Sequence, residues 1–133
     1  DNIVAGSGNN TIIGGAGNDT ISCGSGVDIV VFGSVLDANT NVDTISWFKH
    51  GVDSIALSRF VFSHLPVGPQ ISSDNFVANT NPAARDANDY ILYNTTNGKL
   101  FYDSDGSGAA SPILFAILTG QPTLTASDFM VVF

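Results

Sequence analysis

Residues 5–31 read AGSGNNTII, GGAGNDTIS and CGSGVDIVV, three consecutive copies of one nine-residue pattern that decides the fold. Positions two and four are always glycine: Gly6, Gly8, Gly15, Gly17, Gly24 and Gly26. Position six carries a side chain with a carboxylate or amide oxygen: Asn10, Asp19 and Asp28. The middle of the last three positions is aliphatic: Ile12, Ile21 and Val30. A strict short period predicts stacked, equivalent units.

Each unit is predicted to be a tight turn followed by a very short strand. Glycine reaches positive φ without steric cost, so two glycines separated by one residue permit a tight turn with inward carbonyls. The last three positions are rich in β-branched residues, and the middle one faces away from its neighbours. One core residue per nine cannot stabilise a unit alone, so the units must stack.

The predicted turn also offers the ligands of a hard cation. Calcium takes roughly six to eight oxygens from carboxylates and carbonyls, and the turn supplies both kinds. The pattern matches G-G-x-G-x-D-x-U-x, in which U is a large aliphatic residue, and so resembles the calcium-binding β-roll repeats of RTX proteins. A metal-free Gly/Asn-rich loop is the alternative, but a loop has no reason to keep a strict period.

The RTX resemblance implies that two repeats form one coil and that calcium lies between turns two repeats apart. Asn10 then pairs with Asp28, and Asp19 pairs with Asp1, while the turn glycines contribute carbonyls. Since Asn10 replaces an Asp, we expect its site to bind calcium more weakly. Residues 1–4 fit the end of a repeat, so we expect the chain to be the C-terminal piece of a longer protein.

The composition favours an acidic, all-β protein. The 133 residues carry a net charge of −8, and all twelve acidic residues are Asp, a turn former and calcium ligand. Four basic residues make nucleic acid a poor partner, and no apolar run is long enough for membrane insertion. The single cysteine, Cys23, cannot form an intramolecular disulfide and is expected to be a small buried apolar residue.

Beyond the repeats, short β-type runs separated by turn residues predict further strands. These runs are residues 44–48, 54–57, 90–93, 99–102, 113–118 and 130–133. The Pro-, Ser-, Asn- and Asp-rich residues 64–89 are predicted to be a loop with one short turn near residues 72–76. Because Ile29–Phe32 is apolar on both faces, it is expected to be covered on both sides and to mark the roll's entry into a thicker core. We predict a β-roll over residues 1–33 and a β-sandwich-like cap over residues 34–133.

The second half also resembles the C-terminal regions of RTX proteins, especially serralysin-type proteases. The matching segments are DTISWFKHGVDSIALS, GKLFYDSDGSGAASPILFAIL and DFMVVF, at residues 43–58, 98–118 and 128–133. In that family a C-terminal Asp followed by hydrophobic residues belongs to the type I secretion signal. An ordinary last strand is the alternative interpretation of residues 128–133.

Three aspartates outside the repeat are further candidate calcium ligands. Asp103 and Asp105 lie in DSDGSG, which has the D-x-D-G character of an acidic calcium loop but lacks the closing Glu of an EF-hand. A solvated turn is the alternative there. Asp43, like Asp53, directly precedes a predicted strand and is a weaker candidate.

The sequence predicts no catalysis. Zinc proteases need H-E-x-x-H, whereas this chain has only His50 and His64 and no Glu. G-x-S-x-G and the phosphate-binding loop with its Lys are also missing from the sequence.

The leading hypothesis is a calcium-binding folding and secretion module of a bacterial extracellular protein, exported by type I machinery. One alternative is an adhesion module that binds extracellular polysaccharide through exposed aromatic residues such as Trp47, Tyr90, Tyr93, Phe101 and Tyr102. Another is the non-catalytic C-terminal part of a secreted protease or lipase. Each hypothesis implies a secreted or cell-surface location.

Overall fold

The computed structural model describes residues 1–132, which form eleven β-strands and two single-turn 3₁₀ helices. The strands are β1 (Asn2–Val4), β2 (Thr11–Ile13), β3 (Thr20–Ser22), β4 (Ile29–Phe32), β5 (Asp43–Ser46), β6 (Ser54–Ser58), β7 (Phe76–Asn79), β8 (Ile91–Asn94), β9 (Lys99–Tyr102), β10 (Ile113–Leu118) and β11 (Phe129–Val132). The 3₁₀ helices are Ser73–Asn75 and Ala126–Asp128. Within these residues, no helix is long and apolar enough to cross a membrane.

The first six strands alternate between two parallel sheets, as stacked turn–strand units require. In one sheet β1, β3 and β5 are neighbours, with Ile3, Ile21 and Ile45 in register. In the other sheet β2, β4 and β6 are neighbours, and the same inward position is occupied at each step. This second row consists of Ile12, Val30 and Ile55, all buried. One inward residue per strand therefore forms a thin core between the sheets.

The core thickens after β6, where aromatic rings replace the single aliphatic row. Phe62 makes edge-to-face contacts with Tyr102 and Phe115, with ring centroids 4.9 and 5.1 Å apart. Phe32, at the end of β4, packs against Phe115 in the same way. Ile29 and Val31 are only half-buried, so the second face of β4 is less covered than expected.

Both sheets continue past the repeats into the second half of the chain. One has the order β1-β3-β5-β10-β9-β8-β7, and the other has the order β11-β6-β4-β2. β10 pairs in parallel with β5 and antiparallel with β9, and β11 pairs in parallel with β6. The predicted all-β class, a parallel roll that runs into a sandwich-like cap, is confirmed; the boundary at residue 33 stays a prediction.

Two details of the predicted strands are wrong. β7 lies inside residues 64–89, which were expected to be a loop, because Phe76 and Val77 pack inward while the rest of that segment is polar. β5 ends at Ser46 instead of continuing through Phe48, because Trp47 adopts a left-handed φ of 62° and leaves the strand. The last strand begins at Phe129, and Phe133 lies outside the described residues.

Ile12 and Ile13 offer a matched test of the thin core. Ile12 is 4% exposed and Ile13 is 63% exposed, although both belong to β2. Ile12→Ala is expected to lower the free energy of unfolding by about 2–5 kcal/mol, because it removes a core residue. Ile13→Ala should change it by no more than about 0.5 kcal/mol. Urea unfolding of both variants measures this, and equal losses would contradict the assigned inward row.

Candidate cation-binding turns

Turns two repeats apart stack directly on one another. Ser25 N donates to Gly6 O at 2.9 Å, which joins the turn at residues 5–10 to the turn at residues 23–28. Gly26 has a φ of +120°, and a Cβ there would lie 2.0 Å from Gly8 O. Glycine is therefore required in the third repeat both for its backbone conformation and for the close approach of the turn above.

Asn10 and Asp28 are brought together at this pair of turns. The amide N and the side-chain Nδ2 of Asn10 donate to Asp28 Oδ1 at 2.9 and 3.0 Å. Asp28 is 1% exposed, and its second oxygen, Oδ2, is buried without a hydrogen-bond partner. One oxygen of this carboxylate thus holds the neighbouring coil, and the other is free to bind a ligand.

Asp1, Asp19 and Asp43 form the corresponding row on the other side of the roll. The α-amino group of Asp1 contacts Asp19 Oδ1, and the amide of Asp19 donates to Asp43 Oδ1 at 3.1 Å. Asp19 is buried, and its Oδ2 has no hydrogen-bond partner. Asp19 therefore has the same half-paired carboxylate as Asp28.

Asparagine amides close the step between residues 14–19 and 37–43. Asn41 Oδ1 accepts from Gly17 N at 3.1 Å, and Asn18 Oδ1 accepts from Val42 N at 2.8 Å. Asn18 Nδ2 also donates to Asn39 O at 3.3 Å. The sequence separation across this step is 24 residues, against 18 for Asn10 and Asp28, so the nine-residue period could not reveal these partners.

Asp53 and Asp128, two buried aspartates directly before strands, have both carboxylate oxygens occupied by protein groups. Asp53 accepts from Asp28 N and Lys49 N at 2.9 and 2.7 Å. Asp128 accepts from Gly51 N at 3.0 Å and Thr125 N at 2.9 Å, and it contacts His50 Nδ1 at 2.6 Å. Neither carboxylate needs a metal ion. The shared signal in the sequence is an Asp directly before a strand.

The other predicted ligands, Asp103 and Asp105, lie on the loop that follows β9. Asp103 is buried, whereas Asp105 is exposed and its Oδ2 accepts from Ala110 N at 3.0 Å. Asp89, which was not predicted, is a further buried carboxylate; its Oδ2 accepts from Arg85 N at 2.8 Å and from Asp86 N at 3.2 Å, and its Oδ1 has no hydrogen-bond partner.

The turn residues fit a hard cation. A buried carboxylate oxygen without a partner is costly, and a bound cation would satisfy Asp19 Oδ2 and Asp28 Oδ2. The available donors are oxygens, which suit calcium better than transition metals. Across residues 1–132, no three His, Cys, Asp or Glu side chains form a group that could hold a metal, so backbone carbonyls would have to supply most ligands.

The aromatic residues considered for polysaccharide binding are mostly unavailable. Tyr93 and Tyr102 belong to the core, and Tyr90 and Phe101 are half-buried. Trp47 is 74% exposed. One exposed ring among the five considered gives the polysaccharide alternative no specific support.

A parallel roll with Gly- and Asp-bearing turns, closed by a β-rich cap, defines an RTX-type β-roll protein. The family described as Peptidase M10 serralysin C terminal matches residues 1–131. The chain therefore belongs to the serralysin C-terminal family, as the sequence predicted. Membership supports the coarser functional prediction of a non-catalytic C-terminal region of a secreted, protease-like protein. Among the curated proteins compared, none matches the chain.

Alanine substitutions at Gly26 and Gly17 distinguish two contributions to the free energy of unfolding. One is the close stacking of the turns, and the other is the positive φ of the backbone. The φ values of these glycines are +120° and +116°, but a Cβ at Gly17 would meet nothing within 4 Å. Gly26→Ala is expected to cost about 1–3 kcal/mol more than Gly17→Ala, because only Gly26 approaches the backbone of a neighbouring turn. Chemical unfolding of both variants provides the measurement. Equal costs would mean that the turns do not stack as described.

Asp43 is expected to make stability depend on pH when metal is chelated. Burial is the main cause that raises the pKa of Asp43 from 3.8 to about 6; the Asp19 charge adds to it, and the Asp19 amide opposes it. Between these values the folded chain retains a proton that the unfolded chain has released. The free energy of unfolding should therefore fall as pH rises through this window.

Asp43→Asn should flatten this part of the pH profile in the presence of a chelator. The exposed Asp37 is a suitable control, because hydrogen bonds from the amides of Asn39 and Thr40 lower its pKa. Asp37→Asn should leave the slope above the ordinary Asp pKa unchanged. Unfolding midpoints measured across the window provide the test, and an unaltered slope for Asp43→Asn would contradict it.

Proposed function

We propose that this chain is a calcium-dependent folding module of a secreted protein. The observation that carries the proposal is the pair of buried, unpartnered oxygens, Asp19 Oδ2 and Asp28 Oδ2, in the Gly-rich turns. Membership of the serralysin C-terminal family is consistent with an extracellular setting. Extracellular calcium modules bind with dissociation constants of roughly 10⁻⁴–10⁻³ M, so they fill outside the cell but not in the cytosol.

Two sites are proposed, one on each side of the roll. Asp28 and Asn10 would hold one ion, together with the backbone carbonyls of Gly6, Gly8, Gly24 and Gly26. Asp19 would hold the other, together with Asp1, carbonyls of Gly15 and Gly17, and the neighbouring Asp43. A bound calcium ion would supply positive charge to carboxylates that are otherwise half-paired, and their oxygens would coordinate it.

The chain's own residues make folding dependent on that charge. Twelve Asp carboxylates and four basic residues leave a net charge of −8, which opposes compaction without a counter-ion. The thin core of the roll contributes only one buried aliphatic residue per strand, so it has little apolar burial to offset the repulsion. Calcium binding would therefore contribute directly to folding.

The proposal extends to type I export with the C-terminal segment as part of the signal. Asp128 is buried and held by Gly51, Thr125 and His50, and β11 pairs with β6. A segment held in this way is inaccessible to an exporter, so recognition would have to precede folding. Low cytosolic calcium would keep the segment accessible until export.

Asn10→Asp provides a test in which the predicted sign changes with calcium. Asn10 Nδ2 now donates to Asp28 Oδ1 at 3.0 Å, and a carboxylate there would face another carboxylate. Without calcium the variant should be less stable than the natural chain, because like charges repel. With about 10 mM calcium, well above the expected dissociation constant, it should be more stable, because the site gains a charged ligand.

Circular dichroism and thermal unfolding, each in EDTA and during a calcium titration, provide the measurements. The natural chain should gain strand signal and stability with calcium. The control is Asn9→Asp, because the exposed Asn9 accepts from Val27 N, and none of the hydrogen bonds among residues 1–132 joins it to Asp28. A natural chain unchanged between EDTA and calcium would reject the folding mechanism; an Asn10→Asp variant that behaves like Asn9→Asp would reject the site at Asn10 and Asp28.

A further inference from the structure

The loop from Asp103 to Ala110 is held tightly to a second loop of the cap. Asp103 N donates to Tyr90 O at 2.8 Å, and Ser107 N donates to Asp86 O at 2.9 Å. Gly106 has a φ of +61°, and a Cβ there would lie 2.5 Å from the Asp86 carbonyl oxygen. The loop conformation is therefore set by neighbouring backbone, independently of the roll.

Asp103 is buried in this loop with an oxygen that has no partner. The residue is 3% exposed, and its Oδ1 lacks a hydrogen-bond partner within the described part of the chain. Asp105 lies within hydrogen-bonding reach of the Asp103 carboxyl group. Two carboxyl groups in contact need either a shared proton or a cation between them.

We propose that Asp103 and Asp105 bind a divalent cation of the calcium type, at a site outside the nonapeptide turns. Asp103 supplies a buried, fixed oxygen and Asp105 supplies an exposed carboxylate at the entrance. None of the ion pairs found among residues 1–132 involves either of them. Oxygen donors without sulfur or a close imidazole ligand favour a hard cation.

The carboxylate of Asp105 is held in place by the backbone of its own loop. Asp105 Oδ2 accepts from Ala110 N at 3.0 Å, while the Asp105 side chain remains exposed. The buried, unpartnered Oδ1 of Asp103 and the exposed carboxylate of Asp105 therefore offer a cation two oxygen donors from one loop.

The bound cation would stabilise the cap, separately from the repeats. It would fix the loop that carries Ser107 and Gly106 against the segment containing Asp86, and hence the end of the β8–β9 hairpin. Calcium would then act at two places: in the turns, where the roll assembles, and at this loop, where two cap segments meet. This second site shares no residue with the proposed turn sites, although it needs the folded chain.

Terbium luminescence can distinguish the two kinds of site, because Tb³⁺ replaces calcium and is sensitised by nearby aromatic rings. Tyr102 directly precedes Asp103, and the backbone carbonyl of Tyr90 accepts a hydrogen bond from Asp103 N. Residues 5–31, by contrast, contain no aromatic residue. In the Trp47→Phe variant of the 133-residue chain, excitation of tyrosine should give terbium emission that calcium displaces. Asp105→Asn and Asp103→Asn should each weaken terbium binding by about 10-fold or more.

Asp37→Asn is the matched control, because Asp37 is likewise an exposed aspartate whose carboxylate accepts backbone amides, but it belongs to neither proposed kind of site, so the tyrosine-sensitised emission should stay unchanged. Circular dichroism verifies that each variant folds. If Asp103→Asn does not fold, the exposed Asp105→Asn alone decides the result.

Unchanged terbium affinity in the Asp105→Asn variant, or emission that calcium cannot displace, would overturn the proposal. A calcium response in circular dichroism without tyrosine-sensitised emission would reject this site and leave the proposed turn sites standing. Tyrosine-sensitised emission without a calcium response in circular dichroism would support this site and reject the calcium-dependent folding proposed for the turns.

Discussion

The constraint on which this fold depends is a buried carboxylate that accepts the backbone amide of the preceding coil. Asp28 accepts from the amide of Asn10, and Asp53 accepts from that of Asp28. On the other side of the roll, Asp43 accepts from Asp19. Each acceptor lies directly before a strand or at its first residue, so the contact aligns the strands that follow. The parallel register of both sheets therefore begins at these carboxylates.

The second oxygen of each carboxylate distinguishes structural aspartates from candidate ligands. In Asp53 and Asp128 it also contacts protein groups, and the carboxylate is complete without an ion. In Asp19 and Asp28 it is buried and unpaired. The same residue type in a similar local setting can thus close a turn or leave it open to a cation, depending on whether the adjoining loop supplies a further donor.

The repeat pattern predicted the features that depend on local periodicity. It identified β1 to β4 and the inward row that includes Ile12 and Val30, whereas the approach of Asn10 to Asp28 was implied by the RTX resemblance. It could not reveal the asparagine contacts at Asn18 and Asn41, because the longer step there follows no repeat. β7 was missed because its neighbours are polar and its partner β8 comes later in the chain. The burial of Asp103 depends on a packed loop, which residue spacing alone does not indicate.

The position of the last strand has a consequence for the kinetics of folding. Asp128 contacts His50 across a separation of 78 residues, and β11 completes its sheet by pairing with β6. Contacts between distant parts of a chain are slow to form, because loop closure costs entropy before the contact stabilises anything. The edge of β6 therefore stays unpaired until β11 reaches it. In a chain that emerges with its C-terminus first, β11 would be available for this pairing from the start.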